Sequence, residues 1–180
     1  MDIAAEPSRG LTLAEEADPA SETIRAFKQG VDEFNFAAVG PDGYAPIWII
    51  GRDHSGAVQA GAHGHISWTW LFLDWLWVAA AHRGNGFGAQ LLLRTEALAH
   101  AHGCSGVYLN TFSFQAPGFY LRHGYREIGR LVGVPPGHDR IWFSKRLSNV
   151  NARRPSAGAP RPAGWRSPEQ PSWNMDREQS

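Results

Sequence analysis

A glycine-rich run with one arginine is the segment of this sequence best suited to bind a ligand. Arg83-Gly84-Asn85-Gly86-Phe87-Gly88-Ala89 lies between an apolar stretch and an amphipathic one. Glycines let backbone amides approach a ligand closely, and the amino end of a helix favours an anion. Arg83 adds a fixed positive charge. The run is interpreted as a phosphate-binding turn, with an ordinary glycine-rich turn as the alternative, because short glycine patterns are common.

Two known phosphate-binding motifs can be compared with this run. A P-loop requires a lysine directly after its last glycine, and no lysine follows here. A dinucleotide-binding fingerprint tolerates the spacing Gly84-x-Gly86-x-x-Ala89, but it requires an acidic residue about 20 positions later to hold a ribose. The next predicted strand ends in Leu109-Asn110, and the chain lacks further βαβ units. Neither motif accounts for the run.

Asp74 is an acidic residue inside the apolar stretch that precedes the turn. If residues 70–78 form a strand, their side chains alternate between two faces. The predicted faces are Trp70, Phe72, Asp74, Leu76 and Val78 on one side and Leu71, Leu73, Trp75 and Trp77 on the other. An unpaired carboxylate is costly to bury. Asp74 is therefore expected either to be hydrogen-bonded within the fold or to line a cleft.

Histidine and tryptophan side chains near Asp74 are further candidates. His63 and His65 share one face of the preceding predicted strand, where they could relay protons, contact a substrate or simply pack. Two imidazoles without a third ligand make a poor zinc site, so no metal is predicted. Trp68 and Trp70 could present a flat apolar surface to a sugar ring, although aromatic residues in a long apolar strand usually belong to the core.

The elements that must position these residues alternate between strand and helix patterns. Residues 10–13 have the pattern of a first strand, and Asp18-Pro19 marks the start of a helix that continues to about Phe36. A polar connection at 53–56 suits a hairpin turn. The elements predicted after the first helix lie at 47–52, 57–66, 70–78, 86–102, 106–110, 117–123, 125–132 and 140–146. The pattern is that of a mixed α/β fold.

The composition favours one compact domain. The chain has 180 residues, of which 43% are hydrophobic, with 17 basic and 17 acidic side chains. Because the charges balance, the chain has no net electrostatic attraction to nucleic acid or to an anionic membrane, so neither is a predicted partner. From residue 148 onward there are five prolines and five arginines but no leucine, isoleucine or phenylalanine. We predict a folded domain at 1–147 and a disordered Pro/Arg/Ser-rich tail at 148–180.

The expected cellular location follows from three observations. The single cysteine, Cys104, cannot form an internal disulfide. The first residues have neither the basic region nor the apolar core of a signal peptide. The longest apolar run, at 68–81, contains Asp74 and is too short to span a bilayer. We therefore expect a cytoplasmic protein.

Two segments, in the right order, resemble the motifs of the GNAT superfamily of acetyltransferases. Residues 78–88, V-x-x-x-x-R-G-x-G-x-G, resemble its acetyl-CoA-binding motif, and residues 119–125, F-Y-x-x-x-G-Y, resemble its later helix-and-strand motif. The resemblance extends from Leu11 to Leu147. Within the superfamily, the segments at 74–78, 111–116 and 135–138 resemble a bacterial branch of small-molecule enzymes. Within this branch, the three segments resemble those of aminoglycoside 2'-N-acetyltransferases that act on kasugamycin.

This resemblance implies a fold and a co-substrate. The fold would be an α/β (α+β) GNAT fold, a mixed and mostly antiparallel sheet with a splayed pair of parallel strands, flanked by helices. Acetyl-CoA would be the co-substrate, with its pyrophosphate on the amides of the turn at 83–89. Asn110 and Phe119 are implied as further acetyl-CoA contacts. The Val78 amide is implied as donor to the thioester oxygen, where negative charge grows in the transition state.

The resemblance also implies how protons would move. Tyr120 matches the tyrosine that serves as general acid in many relatives, with a buried core aromatic as the alternative. Asp74 is the first candidate for the base that accepts a proton from the amine. The residues expected to contact the acceptor are Asp74, His65, Trp68, Trp70, Glu33, Asn35 and His138.

The predicted reaction is transfer of an acetyl group to a primary amine of an amino-sugar antibiotic, which would give resistance. The few carboxylates near the expected cleft suit a modestly charged amino sugar better than a heavily charged aminoglycoside. A protein, a peptide or another small amine is the alternative acceptor. A non-catalytic acyl-CoA-binding regulatory module is the alternative of another class. Relatives are often homodimers, so a homodimer is among the expected states.

Overall fold

The structure is a computed structural model that describes residues 10–147. The predicted tail at 148–180 lies outside the described residues, so the domain boundary at 147 stays a prediction. The described chain forms three α-helices, six strands and a short 3-10 helix at Ala80–His82. In chain order the elements are α1 (Ser21–Val39), β1 (Ala45–Arg52), β2 (Val58–Ser67), β3 (Trp70–Val78), α2 (Phe87–Ala101), β4 (Gly106–Phe112), α3 (Pro117–Arg122), β5 (Arg126–Val132) and β6 (Asp139–Arg146).

The six strands form one sheet in the order β1-β2-β3-β4-β6-β5. Every neighbouring pair is antiparallel except β3 and β4, which run parallel. These two strands pair only from Trp70 with Gly106 to Leu73 with Leu109, after which they diverge. The predicted mixed sheet with a splayed parallel pair, flanked by helices, is confirmed. None of the described helices is both long and apolar enough to cross a bilayer.

The core lies between one face of the sheet and the helices α2 and α3. The buried residues of α2 are Leu91, Leu92, Thr95 and Ala99. α3 buries Tyr120, whose ring centroid lies 5.9 Å from that of Tyr125 and 6.0 Å from that of Phe143. We call the sheet face under α2 and α3 the helix face and the opposite one the open face.

A β-bulge interrupts the pairing of β2 with β3. His63 lies opposite Trp75 and Gly64 lies opposite Leu73, so Asp74 is an extra residue in β3. A bulge of this kind reverses the alternation of side chains beyond it. Leu71 and Leu73 are buried, and after the bulge the partly buried residues packed on the same core are Leu76 and Val78. The prediction that Asp74 shares a face with Val78 is wrong, because simple alternation cannot anticipate the inserted residue.

The amino-terminal part of the domain differs from its prediction. Residues 10–13 form no strand, and Leu11 and Leu13 are exposed. Four residues with two apolar side chains bury too little surface to offset the entropy of ordering them. β1 is therefore an edge strand of the sheet. α1 begins at Ser21, three residues after the predicted Asp18-Pro19 start, and ends at Val39.

The bulge depends on a glycine, which a substitution can test. A Cβ atom at Gly64 would clash with the carbonyl oxygen of Phe72 and lie 3.2 Å from the Cα of Leu73. We expect Gly64→Ala to lower the free energy of unfolding by about 1–3 kcal/mol, because the backbone of β3 must move. Gly129→Ala is the matched control, since nothing lies within 4 Å of a Cβ there. Urea unfolding measures both, and equal stabilities would contradict the close approach.

High pH should destabilise the fold through its buried tyrosines. Burial raises the pKa of Tyr120 from 10.0 to about 12, and burial together with Glu96 also raises the pKa of Tyr125. The unfolded chain loses these protons first, from about pH 10. The free energy of unfolding should therefore be steady below that pH and fall between about pH 10 and about pH 12.

Replacing one phenol should remove part of this fall. We expect Tyr120→Phe to reduce it by about 1 kcal/mol when urea unfolding at about pH 11 is compared with about pH 9. Leu121→Ala, at an exposed position of the same helix that carries no ionisable group, is the control and should leave the fall unchanged. A fall of the same size in Tyr120→Phe would show that this phenol ionises equally in both states.

Candidate functional site

The gap between the diverging ends of β3 and β4 is lined by backbone groups of β3. The amide of Ala79 donates to the carbonyl of Gln59 at 2.8 Å. Bonded and non-bonded pairs alternate along an antiparallel ladder. The register of β2 and β3 therefore turns the N–H and C=O groups of Leu76 and Val78 away from β2 and into the gap. Arg83 Nε donates to the Val78 carbonyl at 3.0 Å, while the two amides remain available to a ligand.

The glycine-rich turn lies at the end of this gap and leads into α2. Gly84 and Gly86 have φ values of 79° and 80°, a left-handed conformation that glycine adopts without strain. The first hydrogen bond within α2 runs from the Gln90 amide to the Gly86 carbonyl at 3.0 Å. The amides at 87–89 therefore have no acceptor within the helix. Together with the charge of Arg83, these donors fit a pyrophosphate.

A third glycine brings α3 and β3 close to the start of α2. A Cβ atom at Gly88 would lie 3.6 Å from the Phe119 ring and 4.0 Å from Cδ2 of Leu76. A side chain at position 88 would lie in van der Waals contact with both groups, so the glycine keeps the space between the turn, α3 and the gap open.

Tyr120 approaches the gap from the helix face. Its ring stacks at 6.0 Å on Phe143, which pairs with Leu109, the last residue of β4 paired with β3. Tyr120 is only 9% exposed, and burial raises its pKa to about 12. Its hydroxyl therefore stays protonated throughout the physiological range and can donate a proton.

Asp74 lies on the other side of the sheet, on the open face. Oδ2 of Asp74 lies 3.5 Å from Nδ1 of His65, longer than a well-formed hydrogen bond. The two side chains are 32% and 28% exposed, so the carboxylate is partly solvated and is not buried without a partner. Burial, and to a lesser extent the charge of Asp74, raises the pKa of Tyr108. The carboxylate can accept a proton from a group that arrives from the open face.

Aromatic rings surround Asp74 and form what we call the aromatic wall, made of Tyr44, His65, Phe72 and Tyr108. His65 stacks on Tyr44 at 5.4 Å and meets Phe72 edge to face at 5.6 Å. Phe72 lies 4.8 Å from Tyr108 across the parallel pair. A flat apolar surface next to one carboxylate can bind a compact cation with a ring.

The other predicted acceptor residues occupy three different parts of the fold. Trp70 lies at the closed end of the parallel pair, where its ring meets Tyr108 edge to face at 6.2 Å and the Arg146 guanidinium lies 4.9 Å above it. Trp68 occupies the turn between β2 and β3 with φ of 50°. Glu33 and Asn35 lie on α1, where Glu33 accepts a hydrogen bond from Gln29 at 2.7 Å.

His138 and Asn110 lie toward the carboxyl end of β4, as expected. Nδ1 of His138 is 3.4 Å from Oγ of Ser113, directly after β4. The side-chain oxygen of Asn110 accepts a hydrogen bond from Arg140 at 2.8 Å, so only its amide group is free to meet a ligand. Both stay predicted ligand contacts.

Charged and imidazole groups nearby are engaged in the fold. Asp139 forms an ion pair with Arg130 at 2.7 Å, so its carboxylate is already paired. Asp74, in contrast, lies next to the aromatic wall. His63 is buried, with Nδ1 3.0 Å from the Ile47 carbonyl and its ring stacked at 3.8 Å on Trp48. No group of three metal-binding side chains occurs among residues 10–147.

Sequence reasoning missed four members of the site. Phe72 and Tyr108 had a signal, because strand alternation places Phe72 on the predicted face of Asp74 and Tyr108 on that of Asn110. Tyr44 follows a glycine-rich break in the chain, and no sequence pattern around it indicates a site residue. The Leu76 amide was missed because the bulge decides which backbone groups of β3 face the gap.

Comparisons with known proteins agree with this geometry. A family model described as "Acetyltransferase (GNAT) domain" matches residues 43–127. An acetyltransferase of Agrobacterium fabrum is 31% identical over 135 residues, which cover 75% of this chain and 97% of that protein. The crystal structure of an acetyltransferase from Bacillus cereus superposes with a TM-score of 0.68 at 32% identity, over 74% of this chain and 98% of that one.

A further relative is named for its substrate. A blasticidin-S acetyltransferase of Streptomyces morookaense is 47% identical over 83 residues, 46% of this chain. The match spans only 61% of the length of that protein. The family itself is shown by the nearly complete coverage of the Agrobacterium and Bacillus proteins at more than 30% identity. This chain belongs to the GNAT acetyltransferase family and is an N-acetyltransferase.

Proposed function

We propose that this enzyme acetylates a primary amine of a small antibiotic, and specifically an amino sugar of the kasugamycin type. The observation that carries the proposal is the partly solvated carboxylate of Asp74 beside the aromatic wall. One carboxylate suits an acceptor with few charges, because a polycationic one would leave most of its ammonium groups unpaired. Acetylation of the amine would give resistance to the antibiotic.

Blasticidin S is the second candidate acceptor. The 47% identity over 83 residues with a blasticidin-S acetyltransferase favours it. Protein or peptide acceptors fit less well, because the aromatic wall is compact. The non-catalytic module considered from the sequence is disfavoured, because the relatives are acetyltransferases.

The turn and the gap would hold acetyl-CoA, which supplies the acetyl group as an activated thioester. In this proposal the free amides at 87–89 and Arg83 bind the pyrophosphate. The Leu76 and Val78 amides face the gap, where one contacts pantetheine and the Val78 amide donates to the thioester oxygen. A preorganised donor at the oxygen where charge develops lowers the barrier. Phe119 packs along the same space.

Proton transfers in this scheme occur on opposite sides of the sheet. Asp74, supported by His65, accepts a proton from the acceptor ammonium on the open face, directly or through water. The neutral amine then attacks the thioester carbon from that face, and as the carbon–sulfur bond breaks the nitrogen releases a second proton to water. Tyr120, protonated because its pKa is about 12, donates its proton from the helix face to the departing sulfur and recovers one from solvent. The free thiolate would otherwise leave as a charged group beside an apolar core.

Removing the Tyr120 hydroxyl tests the acid. We expect Tyr120→Phe to lower kcat by about 10²- to 10⁴-fold and to leave the affinity for acetyl-CoA unchanged. Tyr125→Phe is the matched control, because Tyr125 is a buried tyrosine next to Tyr120 with no proposed proton-transfer role. Free thiol release measures the rates. Equal rates in wild type and Tyr120→Phe would contradict the role of general acid.

A panel of acceptors tests the substrate. Purified enzyme and acetyl-CoA are mixed with kasugamycin, blasticidin S, polycationic aminoglycosides, polyamines and peptides, and thiol release is followed. We expect turnover with kasugamycin at least about tenfold above that with peptides, a difference of about 1.4 kcal/mol. Turnover with blasticidin S alone would select the second candidate. Turnover with peptides alone would overturn both.

Asp74→Asn provides the internal control for that panel. The amide keeps the shape of the carboxylate but cannot accept the proton, so kcat should fall by about 10²-fold at neutral pH and recover in part at higher pH as the amine deprotonates itself. If the Asp74→Asn variant instead kept the kcat of the wild type at neutral pH and showed no recovery at higher pH, Asp74 would have no role in the mechanism.

A further inference from the structure

Arg140 on β6 is a half-buried arginine whose guanidinium is fixed by three contacts. Its Nε donates to the side-chain oxygen of Asn110 at 2.8 Å. Its guanidinium carbon lies 5.6 Å from the centre of the Phe112 ring and 5.5 Å from that of the Trp142 ring. Within residues 10–147, no carboxylate pairs with it and its two terminal nitrogens make no hydrogen bond. The contacts therefore hold the positive charge in place without neutralising it.

The guanidinium lies on the open face of the sheet, which is also the face of Asp74. Residues paired across neighbouring strands share a face, and Arg140 pairs with Phe112 of β4. Ile141, the next residue of β6, is buried in the core on the helix face. Because side chains alternate along a strand, Arg140 projects from the opposite face. A carboxylate and an unpaired guanidinium thus occupy the same side of the sheet.

Arg140 and Asp74 lie on opposite sides of the gap between β3 and β4. Phe72 pairs with Tyr108, and each strand continues two residues further, to Asp74 on β3 and to Asn110 on β4. Asp74 and Asn110 are therefore level with each other across the gap, and Asn110 holds Arg140. β6 lies two strand spacings from β3, which is roughly 10 Å at about 4.8 Å per spacing. A small molecule can reach both charged groups at once.

We propose that the acceptor carries a carboxylate besides its amine, and that Arg140 binds this carboxylate while the amine lies at Asp74. The inference rests on the proposed function, because it concerns the molecule that receives the acetyl group. The two terminal nitrogens of a guanidinium match the two oxygens of a carboxylate. An acceptor held at both ends has its amine positioned over the gap, where the thioester is attacked. Arg140 selects and positions the acceptor, and Asn110 positions Arg140.

The charges around Arg140 favour a carboxylate over a phosphate. On the adjacent strand β5, Arg130 is already bound by the carboxylates of Glu127 and Asp139 at 2.9 and 2.7 Å. One unpaired guanidinium matches the single charge of a carboxylate, whereas a phosphate dianion would keep half of its charge unpaired. The aromatic rings beside the guanidinium exclude water from part of it, which strengthens the pairing. The same positive charge repels a polycationic acceptor.

Blasticidin S and its methyl ester test this inference as a matched pair of acceptors. Blasticidin S, like kasugamycin, has a carboxyl group besides a primary amine, and esterification removes the negative charge but keeps the amine. We expect the wild type to use the free acid with a kcat/KM about 10- to 100-fold above that of the ester, mainly through KM. Arg140→Gln should lose this preference. Its activity toward the free acid should fall to that toward the ester, and unchanged activity toward the ester shows that the variant is folded.

Arg146→Gln is the matched control for Arg140→Gln. The Arg146 guanidinium also lies over an aromatic ring of the open face, 4.9 Å from that of Trp70, but at the closed end of the parallel pair. Arg146→Gln should leave the preference for the free acid unchanged. Arg140→Lys keeps the charge without the planar fork and should retain part of the preference. Equal losses toward free acid and ester in Arg140→Gln would overturn the inference, as would a fall in its affinity for acetyl-CoA.

Calorimetric binding without acetyl-CoA separates this inference from the proposed function. Tighter binding of the free acid than of the ester, lost in Arg140→Gln, would support the carboxylate site even if no antibiotic were acetylated, which would overturn the proposed function alone. Turnover of the free acid and the ester at equal kcat/KM would support the proposed function and overturn the carboxylate site. If neither blasticidin S nor kasugamycin showed binding that depends on Arg140, the inference would also fall.

Discussion

One extra residue in β3 controls the geometry of the site. The bulge at Asp74 reverses the alternation of the strand, so Leu76 and Val78 return to the core while Asp74 points to the open face. The same shift sets which backbone amides face the gap. Gly64 makes this possible, because the backbone of β3 approaches it too closely for any side chain. In a regular strand, Asp74 would lie on the face of Val78, and the tryptophans after it would enter the core.

The sheet then acts as a partition between the two groups proposed to transfer protons. Tyr120 lies on the helix face, where burial keeps its hydroxyl protonated, and Asp74 lies on the open face, where its side chain is partly exposed to solvent. The gap between β3 and β4 is where the two faces communicate. An acceptor that enters from one face and a thiol that leaves toward the other do not compete for space. The proposed mechanism needs this separation, because a base and an acid in direct contact would exchange the proton with each other.

The parts of the molecule that follow local rules could be predicted from the sequence. The bounds of β3 agree with the apolar run at 70–78, and the turn at 83–89 has the conformation that its glycines suggested. The bulge could not be predicted, because it depends on the close approach of Gly64 in a neighbouring strand. The first strand failed because Leu11 and Leu13 fit a strand pattern but bury too little surface to order the segment. Trp70 was predicted as an acceptor contact from its aromatic side chain, and the register puts it at the closed end of the parallel pair.

The two halves of the site differ in how they are built, and this difference bears on specificity. The proposed acetyl-CoA side is made by contiguous elements from β3 to α3, in which backbone amides and glycines would do most of the binding. Substitutions of side chains there would change little about which ligand fits. The proposed acceptor side combines side chains from β2, β3, β4 and the segment before β1, and Tyr44, His65 and Phe72 meet only through the sheet register. A change of one such side chain alters the shape of the wall without disturbing the gap, so acceptor choice can vary within the family while the acetyl-CoA site stays the same.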